Sequence, residues 1–104
     1  MDSTVVITPD QWCLVRIDED TTTVMATWSG GYLNGDSWRM NSGITTIDEW
    51  DDDWIIRGLS GSVYECHKNR YGINGYGAAV LAANELSPMD EEDALEYIRQ
   101  KVKR

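Results

Sequence analysis

Hydrophobic and polar residues alternate along the first two thirds of the chain. In "WCLVRI" (12–17) and in "TTVMATW" (22–28), successive side chains fall on opposite faces of an extended strand. The acidic turn "DEDT" (18–21) lies between the two segments. This arrangement predicts an antiparallel hairpin with Cys13, Val15 and Ile17 on one face of its first strand, and Val24, Ala26 and Trp28 on one face of its second.

Further short extended segments follow the same pattern and are separated by turn signals. Asn34-Gly35 is typical of a two-residue hairpin turn that needs positive φ, and it precedes the strand "SWRMN". The acidic run "EWDDD" (49–53) is expected to be the turn that joins two more β-rich segments. The expected strands, in addition to the first hairpin, are 3–8, 37–41, 43–48, 54–59 and 63–66. Their regular spacing favours antiparallel pairing.

The pattern changes to helical spacing after residue 72. We predict helices over 73–86, which is Ala-rich, and over 88–103. In the second helix Ser87 is the expected N-cap, Pro88 the first helical residue and Asp90 the capping-box acid. The apolar positions that define its buried stripe are Leu95, Ile98 and Val102.

These elements together predict one α+β domain over 1–104. We expect an antiparallel β-sheet of five to seven strands, followed by two C-terminal helices packed on one face of that sheet. Residues 1–66 form the strand-rich part, which is also the acidic part of the chain. A length of 104 residues fits one domain with one core.

The negative charge is concentrated in the strand-rich part. The formal net charge is −9, and residues 1–66 carry all of this excess, because acids and bases balance over 67–104. Binding of nucleic acid depends on Lys and Arg that displace phosphate counterions, so we do not expect direct binding. An acidic surface instead attracts basic protein surfaces and is repelled by anionic membranes.

The N-terminal residues and the two cysteines bear on the compartment. "MDSTVVITPDQW" has no basic segment followed by a long apolar one, so we expect no signal peptide and a location in the cytoplasm. In that reducing compartment Cys13 and Cys66 are expected to be free thiols. We expect no cofactor, no metal and no membrane association.

The run "DEWDDDW" (48–54) is the main candidate for function. It places five carboxylates and two Trp in seven positions. A Trp among acids resembles an interface anchor, in which the ring supplies contact area and the acids steer a basic partner. The expected partner-binding residues are Asp48, Glu49, Trp50, Asp51, Asp52 and Asp53, with Asp18, Glu19, Asp20 and Asp36 joining them if the acidic turns meet at one edge of the sheet.

An alternative ligand site lies in "CHKNRYGINGYG" (66–77), whose candidate residues are Cys66, His67, Lys68, Arg70, Gly72 and Gly75. Too few ligands are present for zinc, and the glycine spacing matches neither a P-loop nor a dinucleotide fingerprint. Neighbouring Cys and His on a strand point to opposite faces, which disfavours a nucleophilic pair. A structural strand-to-helix turn is the preferred interpretation, and a small-anion site is the alternative. Because the net charge is −9, we expect Lys68 and Arg70 to pair with neighbouring carboxylates.

Two segments, "GDSWRMNSGI" (35–44) and "SGSVYECHKNRYGINGYG" (60–77), resemble small acidic proteins encoded by bacteriophages. The resemblance implies an inhibitor of a host system, of the anti-CRISPR or anti-restriction type, that acts in the cytoplasm of the host bacterial cell. Some such inhibitors mimic nucleic acid. The C-terminal helix departs from extended mimics because its charge is balanced.

We therefore predict a non-enzymatic inhibitor that binds a basic groove of a host nucleic-acid-handling complex. Two alternatives stay open. One is a small-ligand or nucleotide-binding protein, or an enzyme, that uses the Gly-rich loop. The other is a structural or assembly component of a virion.

Overall fold

Within the described residues, seven β-strands form two sheets that pack against each other around a shared core. The computed structural model describes residues 5–31 and 35–102, without the side chains of residues 30, 31, 35 and 36. The four-stranded sheet has the order β1-β7-β6-β5, and the three-stranded sheet has the order β2-β3-β4. The strands are β1 (Val6–Ile7), β2 (Gln11–Asp18), β3 (Thr21–Gly31), β4 (Gly35–Met40), β5 (Ile44–Trp50), β6 (Asp53–Gly58) and β7 (Val63–His67).

The predicted hairpin is confirmed as β2 and β3, which pair antiparallel. Its tight turn is supported by Asp18, whose side-chain Oδ1 accepts a 2.9 Å hydrogen bond from the Asp20 N–H. The predicted faces are also confirmed, because Trp12 and Leu14 lie in the core between the sheets while Cys13 and Val15 lie in a second core on the other side. The Asn34-Gly35 turn lies partly outside the described residues, although β3 and β4 do pair antiparallel.

The expectation of one sheet with both helices on one face needs correction. β2 and β3 carry apolar side chains on both faces, and each face requires its own cover to keep those side chains from water. The four-stranded sheet covers one face and the first helix covers the other. One strand pair also departs from the antiparallel expectation, because β1 runs parallel to β7.

The chain passes from one sheet to the other at Asn41, which is buried between β4 and β5. The Asn41 side-chain oxygen accepts hydrogen bonds from the Thr23 hydroxyl, from the Val24 N–H and from the Gly43 N–H. This oxygen satisfies main-chain donors that strand pairing leaves open at the crossover.

Helix α1 (Gly75–Ala83) packs on the outer face of the three-stranded sheet. Its buried residues are Gly77 and Leu81. A Cβ added to Gly77 would lie 2.7 Å from Thr27 Cγ2 and 2.8 Å from Ile73 Cγ1, so only glycine allows this close approach of helix and strand.

Helix α1 is shorter than the predicted 73–86 at both ends. Asn74 caps the N-terminus, since its side chain accepts a 2.7 Å hydrogen bond from the Gly77 N–H. At the other end Leu86 N–H donates to Leu81 O and Glu85 N–H donates to Ala82 O, while Glu85 has φ 60. This is a Schellman ending, with Glu85 at the position that glycine usually occupies.

Helix α2 (Glu91–Lys101) covers the core between the sheets and contacts β2 and β5. Its buried residues are Ala94 and Ile98. Neither helix in the described part of the chain has the length and apolarity needed to cross a membrane.

The predicted start of the second helix at Ser87 and Pro88 is wrong. Pro88 forms a β-bridge with Val15, and the Met89 N–H donates a 2.8 Å hydrogen bond to Leu14 O. These contacts hold the segment extended along the edge of β2, so the N-cap is Asp90 and helix α2 begins at Glu91. Its C-cap is Val102, which bridges to Ile47 of β5.

Candidate functional site at the β5–β6 turn

The acidic run at 48–54 forms the end of a tight hairpin. Trp50 closes β5 and pairs with Asp53 of β6, so that only Asp51 and Asp52 lie in the turn. Asp51 adopts φ 57, a left-handed conformation that Asp tolerates better than most residues. The Trp50 side chain is 71% exposed.

Strand register explains why one Trp of this run is exposed and the other is buried. Ile47 points into the core between the sheets, so Trp50 points to the opposite, outer face of β5. Across the hairpin, Trp54 pairs with Glu49 and belongs to the core. The Lys68 ammonium lies 4.6 Å from the ring centroid of Trp54, within the range of a cation–π contact.

Three of the five carboxylates in the run lie beside basic side chains of β6, of β7 and of the turn that follows β7. Asp48 forms an ion pair with Arg57, and Glu49 forms one with Lys68. Asp53 Oδ1 lies 2.7 Å from His67 Nδ1, which makes an ion pair when that imidazole is protonated. The charge of the run is therefore much lower than its composition indicates.

Asp51 and Asp52 differ from the other three acids. Both are exposed, and neither forms an ion pair with any residue in the described part of the chain. Together with Trp50 they form a projecting group that we call the turn tip (Trp50, Asp51 and Asp52). The turn tip presents one indole and two carboxylates that form no ion pair within the described residues.

The acidic turn at 18–20 does not join the turn tip. β2 begins near the Asp53 end of the other sheet, because Trp12 Nε1 donates a 2.6 Å hydrogen bond to the His67 carbonyl and His67 pairs with Asp53. β2 then runs eight residues away from that point to Asp18. Its turn accordingly lies at the opposite end of the sandwich, where Asp20 lines a cavity with Gly43 and Leu59.

The acidic turns at 18–20 and 51–52 therefore do not meet at one edge of the sheet. Asp18, Glu19 and Asp20 are exposed, but they face a different end of the molecule from Asp51 and Asp52. Asp36 lies in β4, and its side chain is outside the described set.

Three residues of the alternative ligand site lie close together in the structure. His67, Lys68 and Arg70 line an open cavity of about 410 Å³ with Asn69 and Asp52. A 3₁₀ turn (Lys68–Arg70) forms one wall, and the Lys68 N–H donates a 2.9 Å hydrogen bond to Asp52 O. The cavity therefore adjoins the turn tip, and Asp52 lines it together with the basic side chains.

Cys66 does not belong to this cavity. It is fully buried in the core between the sheets, while His67 is exposed. Burial, reinforced by the negative charge of Asp53, raises the pKa of the Cys66 thiol well above its ordinary value. Burial also raises the pKa of Cys13 to about 12. Both residues are free thiols, and neither forms the thiolate that nucleophilic attack requires at neutral pH.

Gly72 and Gly75 have structural roles outside the cavity. Gly72 has φ 154, and its N–H donates a 2.7 Å hydrogen bond to Trp12 O at the edge of β2. Gly75 is the first residue of α1, whose N-terminus is already capped by Asn74. No group of three or more His, Cys, Asp or Glu within the described residues is arranged to hold a metal ion.

The identity of the ion-pair partners is the feature of the site that the sequence could not predict. Glu49 and Lys68 are 19 positions apart, and Asp48 and Arg57 are nine apart. The excess of acids over bases favours pairing of Lys68 with a carboxylate, but it does not identify which carboxylate. A register assignment for β5, β6 and β7 would have been needed to find them.

No family model, no curated protein and no solved structure in the comparisons matches this chain.

Proposed function

We propose that this protein is a non-enzymatic binding protein that docks its turn tip onto a basic surface of another protein. The exposed indole of Trp50 carries the proposal. A Trp that is 71% exposed at the end of a hairpin leaves most of its large apolar surface in water, and a partner that covers the ring would gain that hydrophobic energy.

Asp51 and Asp52 define the chemistry of the partner. Their carboxylates have no ion-pair partner among the described residues and directly follow Trp50 in the sequence. The complementary surface is an apolar recess for Trp50 with Lys or Arg at its rim. The rim charges would accelerate and orient association, while burial of the ring would supply most of the affinity.

The proposal is narrower than mimicry of a polyanion. Asp48, Glu49 and Asp53 already have cationic neighbours, and Asp18, Glu19 and Asp20 lie at the opposite end of the sandwich. The resemblance to small acidic bacteriophage proteins supports a host nucleic-acid-handling complex as the source of the basic groove. In that setting the protein would act as an inhibitor, by covering a surface that otherwise contacts nucleic acid.

A comparison of three variants tests the role of the turn tip. Trp50→Ala removes the anchor, and Asp51→Asn with Asp52→Asn removes two charges while Asn retains tolerance for the left-handed φ of Asp51. Glu19→Gln with Asp20→Asn is the matched control, since it removes two charges at the opposite turn. Asp53 is left unchanged because its Oδ1 is buried beside His67.

Each immobilised variant would be used to capture proteins from a bacterial lysate at two salt concentrations. We expect a specific captured protein that is lost with Trp50→Ala and reduced with the Asp51/Asp52 variant, but retained by the Glu19/Asp20 control. Its capture by the wild type would weaken as salt rises. Equal capture by wild type and both turn-tip variants would refute the proposal, provided that all variants unfold at the same urea concentration.

A second candidate function is supported by the cavity at His67, Lys68 and Arg70. Three potential cations on one wall suit a small anion or a nucleotide phosphate. A thermal-shift measurement with inorganic phosphate and with nucleotides tests this candidate, because a ligand that binds the folded state raises Tm. Stabilisation by either probe that disappears in Arg70→Gln would favour ligand binding over docking of the turn tip.

A further inference from the structure

Helix α1 has an exposed face without a charged side chain. Its sequence is "GYGAAVLAA", in which the only side-chain hydrogen-bonding group is the Tyr76 hydroxyl. Gly77 and Leu81 face the sheet, whereas Tyr76, Ala78, Ala79, Ala82 and Ala83 are exposed. A surface helix normally carries polar residues on its outer face, and a helix that is apolar all round is normally buried.

Trp38 is a second exposed aromatic residue on the same side of the three-stranded sheet as α1. It pairs with Thr27, the residue that packs against Gly77, so Trp38 lies on the side of β4 that α1 covers. Trp38 is 41% exposed and Tyr76 is 47% exposed. We call Trp38, Tyr76 and the exposed alanines of α1 the α1 face.

The position of the α1 face favours a second copy of the chain as its partner. Each copy has a net charge of −9, so two copies repel one another over most orientations. None of the residues that make up the α1 face is charged, and the face lies on the outer side of the three-stranded sheet, away from the four-stranded sheet that carries the turn tip. Contact through these residues brings two acidic proteins together on uncharged side chains.

The spacing along the helix is also self-complementary. Tyr76, Ala79 and Ala83 follow the i, i+3, i+7 pattern, which places them in one line along the exposed side of α1. In an antiparallel, two-fold contact centred near Ala79, the Tyr76 ring of each copy would pack over the small Ala83 of the other. We infer that the α1 face is the interface of a two-fold homodimer of this protein.

The size of the α1 face indicates a reversible dimer. A nine-residue helix is about 13 Å long, and a half-exposed Tyr or Trp offers on the order of 100 Å² of surface. With the alanines, each copy would bury roughly 400 Å², about half of the 800 Å² per partner that is typical of stable complexes. Dimerisation should therefore depend on protein concentration.

The effect of salt concentration distinguishes dimerisation through the α1 face from docking of the turn tip. Raising the salt concentration screens the repulsion between two chains of charge −9, so the dimer should become stronger. Docking of the turn tip onto a basic partner should become weaker under the same conditions. The two proposals therefore make opposite predictions and can fail independently.

Sedimentation equilibrium of the full chain, over a concentration series at low and high salt, tests the dimer. We expect the average mass to rise from that of one chain towards that of two as the protein concentration increases. At high salt this rise should occur at a lower protein concentration. Ala79→Glu should hold the protein monomeric, whereas Gln100→Glu, which adds the same charge to the exposed side of α2, should dimerise like the wild type. A wild type that stays monomeric up to about 1 mM at high salt would overturn the inference.

Cross-linking provides a second measurement that does not depend on a disruptive charge. Ala79→Cys places a thiol near the expected two-fold axis, while the native Cys13 and Cys66 are buried and should not compete. Under a mild thiol oxidant we expect a covalent dimer of Ala79→Cys and little of Gln100→Cys. Equal cross-linking of the two variants, or wild-type association that Ala79→Glu leaves intact, would place the interface elsewhere and refute the proposal.

Discussion

Trp12 Nε1 donates a 2.6 Å hydrogen bond to the main-chain carbonyl of His67, and this bond joins the two sheets. The Trp12 ring is almost fully buried and packs edge-on against Tyr71 with the ring centroids 4.9 Å apart. The Tyr71 hydroxyl in turn accepts from the Leu14 N–H and donates to the Met89 carbonyl. The bond from Trp12 anchors β7, the strand that ends at His67 beside the turn tip.

Replacing Trp12 should therefore cost far more stability than replacing Trp50. Trp12→Phe removes the indole donor and leaves a small cavity, so we expect the free energy of unfolding to fall by about 2–3 kcal/mol. Trp50→Phe alters an exposed ring and should change it by less than about 0.5 kcal/mol. Urea denaturation followed by circular dichroism measures both values, and similar losses for the two variants would contradict the assigned environments.

The contact between Gly77 and Thr27 leads to a second prediction. In Gly77→Ala the new Cβ would lie within 3 Å of Thr27 Cγ2 and Ile73 Cγ1, so helix α1 must shift away from the sheet. We expect a loss of about 1–3 kcal/mol in the free energy of unfolding, as is typical of overpacking. The same urea titration provides the measurement.

Gly75→Ala is the matched control for Gly77→Ala. No atom lies within 4 Å of a Cβ at Gly75, and alanine has the higher helix propensity, so this variant should be neutral or up to about 1 kcal/mol more stable. Adding Thr27→Ser to Gly77→Ala removes the clashing methyl group of Thr27 and should restore part of the stability. Equal effects of the two glycine substitutions would show that helix propensity, and not packing, governs this helix.

The buried thiols predict a loss of stability at alkaline pH. The pKa of Cys13 is about 12 in the folded protein, compared with an ordinary value of 9.0. Between these values the unfolded chain has released the thiol proton and the folded chain has kept it. Stability is therefore unaffected below about pH 9 and falls as pH rises beyond it, by up to about 1.4 kcal/mol per pH unit for this group.

Urea denaturation at several pH values between about 8 and 11 would measure this slope. Cys66 and the tyrosines Tyr64, Tyr71 and Tyr97 also have raised pKa values and should steepen it. Cys13→Ala isolates the contribution of one thiol, and its slope should be shallower than that of the wild type. An identical slope in Cys13→Ala would contradict the assignment of a deeply buried thiol.

Several features of the fold could be predicted because they depend on nearby residues. The alternation in β2 and β3 correctly separated Trp12 and Leu14 from Cys13 and Val15. The acidic segments 18–21 and 49–53 were correctly predicted as hairpin turns. Strand alternation also correctly predicted that Cys66 and His67 point to opposite faces, which disfavoured a nucleophilic pair.

Other features were predicted wrongly because distant contacts override local preference. Ser87 and Pro88 are favourable residues for a helix start, yet the bridge from Pro88 to Val15 keeps the segment extended. The single expected sheet became two, because both faces of β2 and β3 are apolar and need cover.

Local chemistry along the chain is enough to predict strands, turns, helices and an acidic N-terminal part, since each of these depends on residues a few positions apart. The exposure of Trp50 and the burial of Trp54 depend on the pairing of Trp50 with Asp53 across a two-residue turn. The neutralisation of Glu49 by Lys68 and the separation of Asp20 from Asp51 likewise depend on which strands pair and in which direction. Those outcomes required the tertiary structure, because charge pairing and burial are properties of neighbours in space.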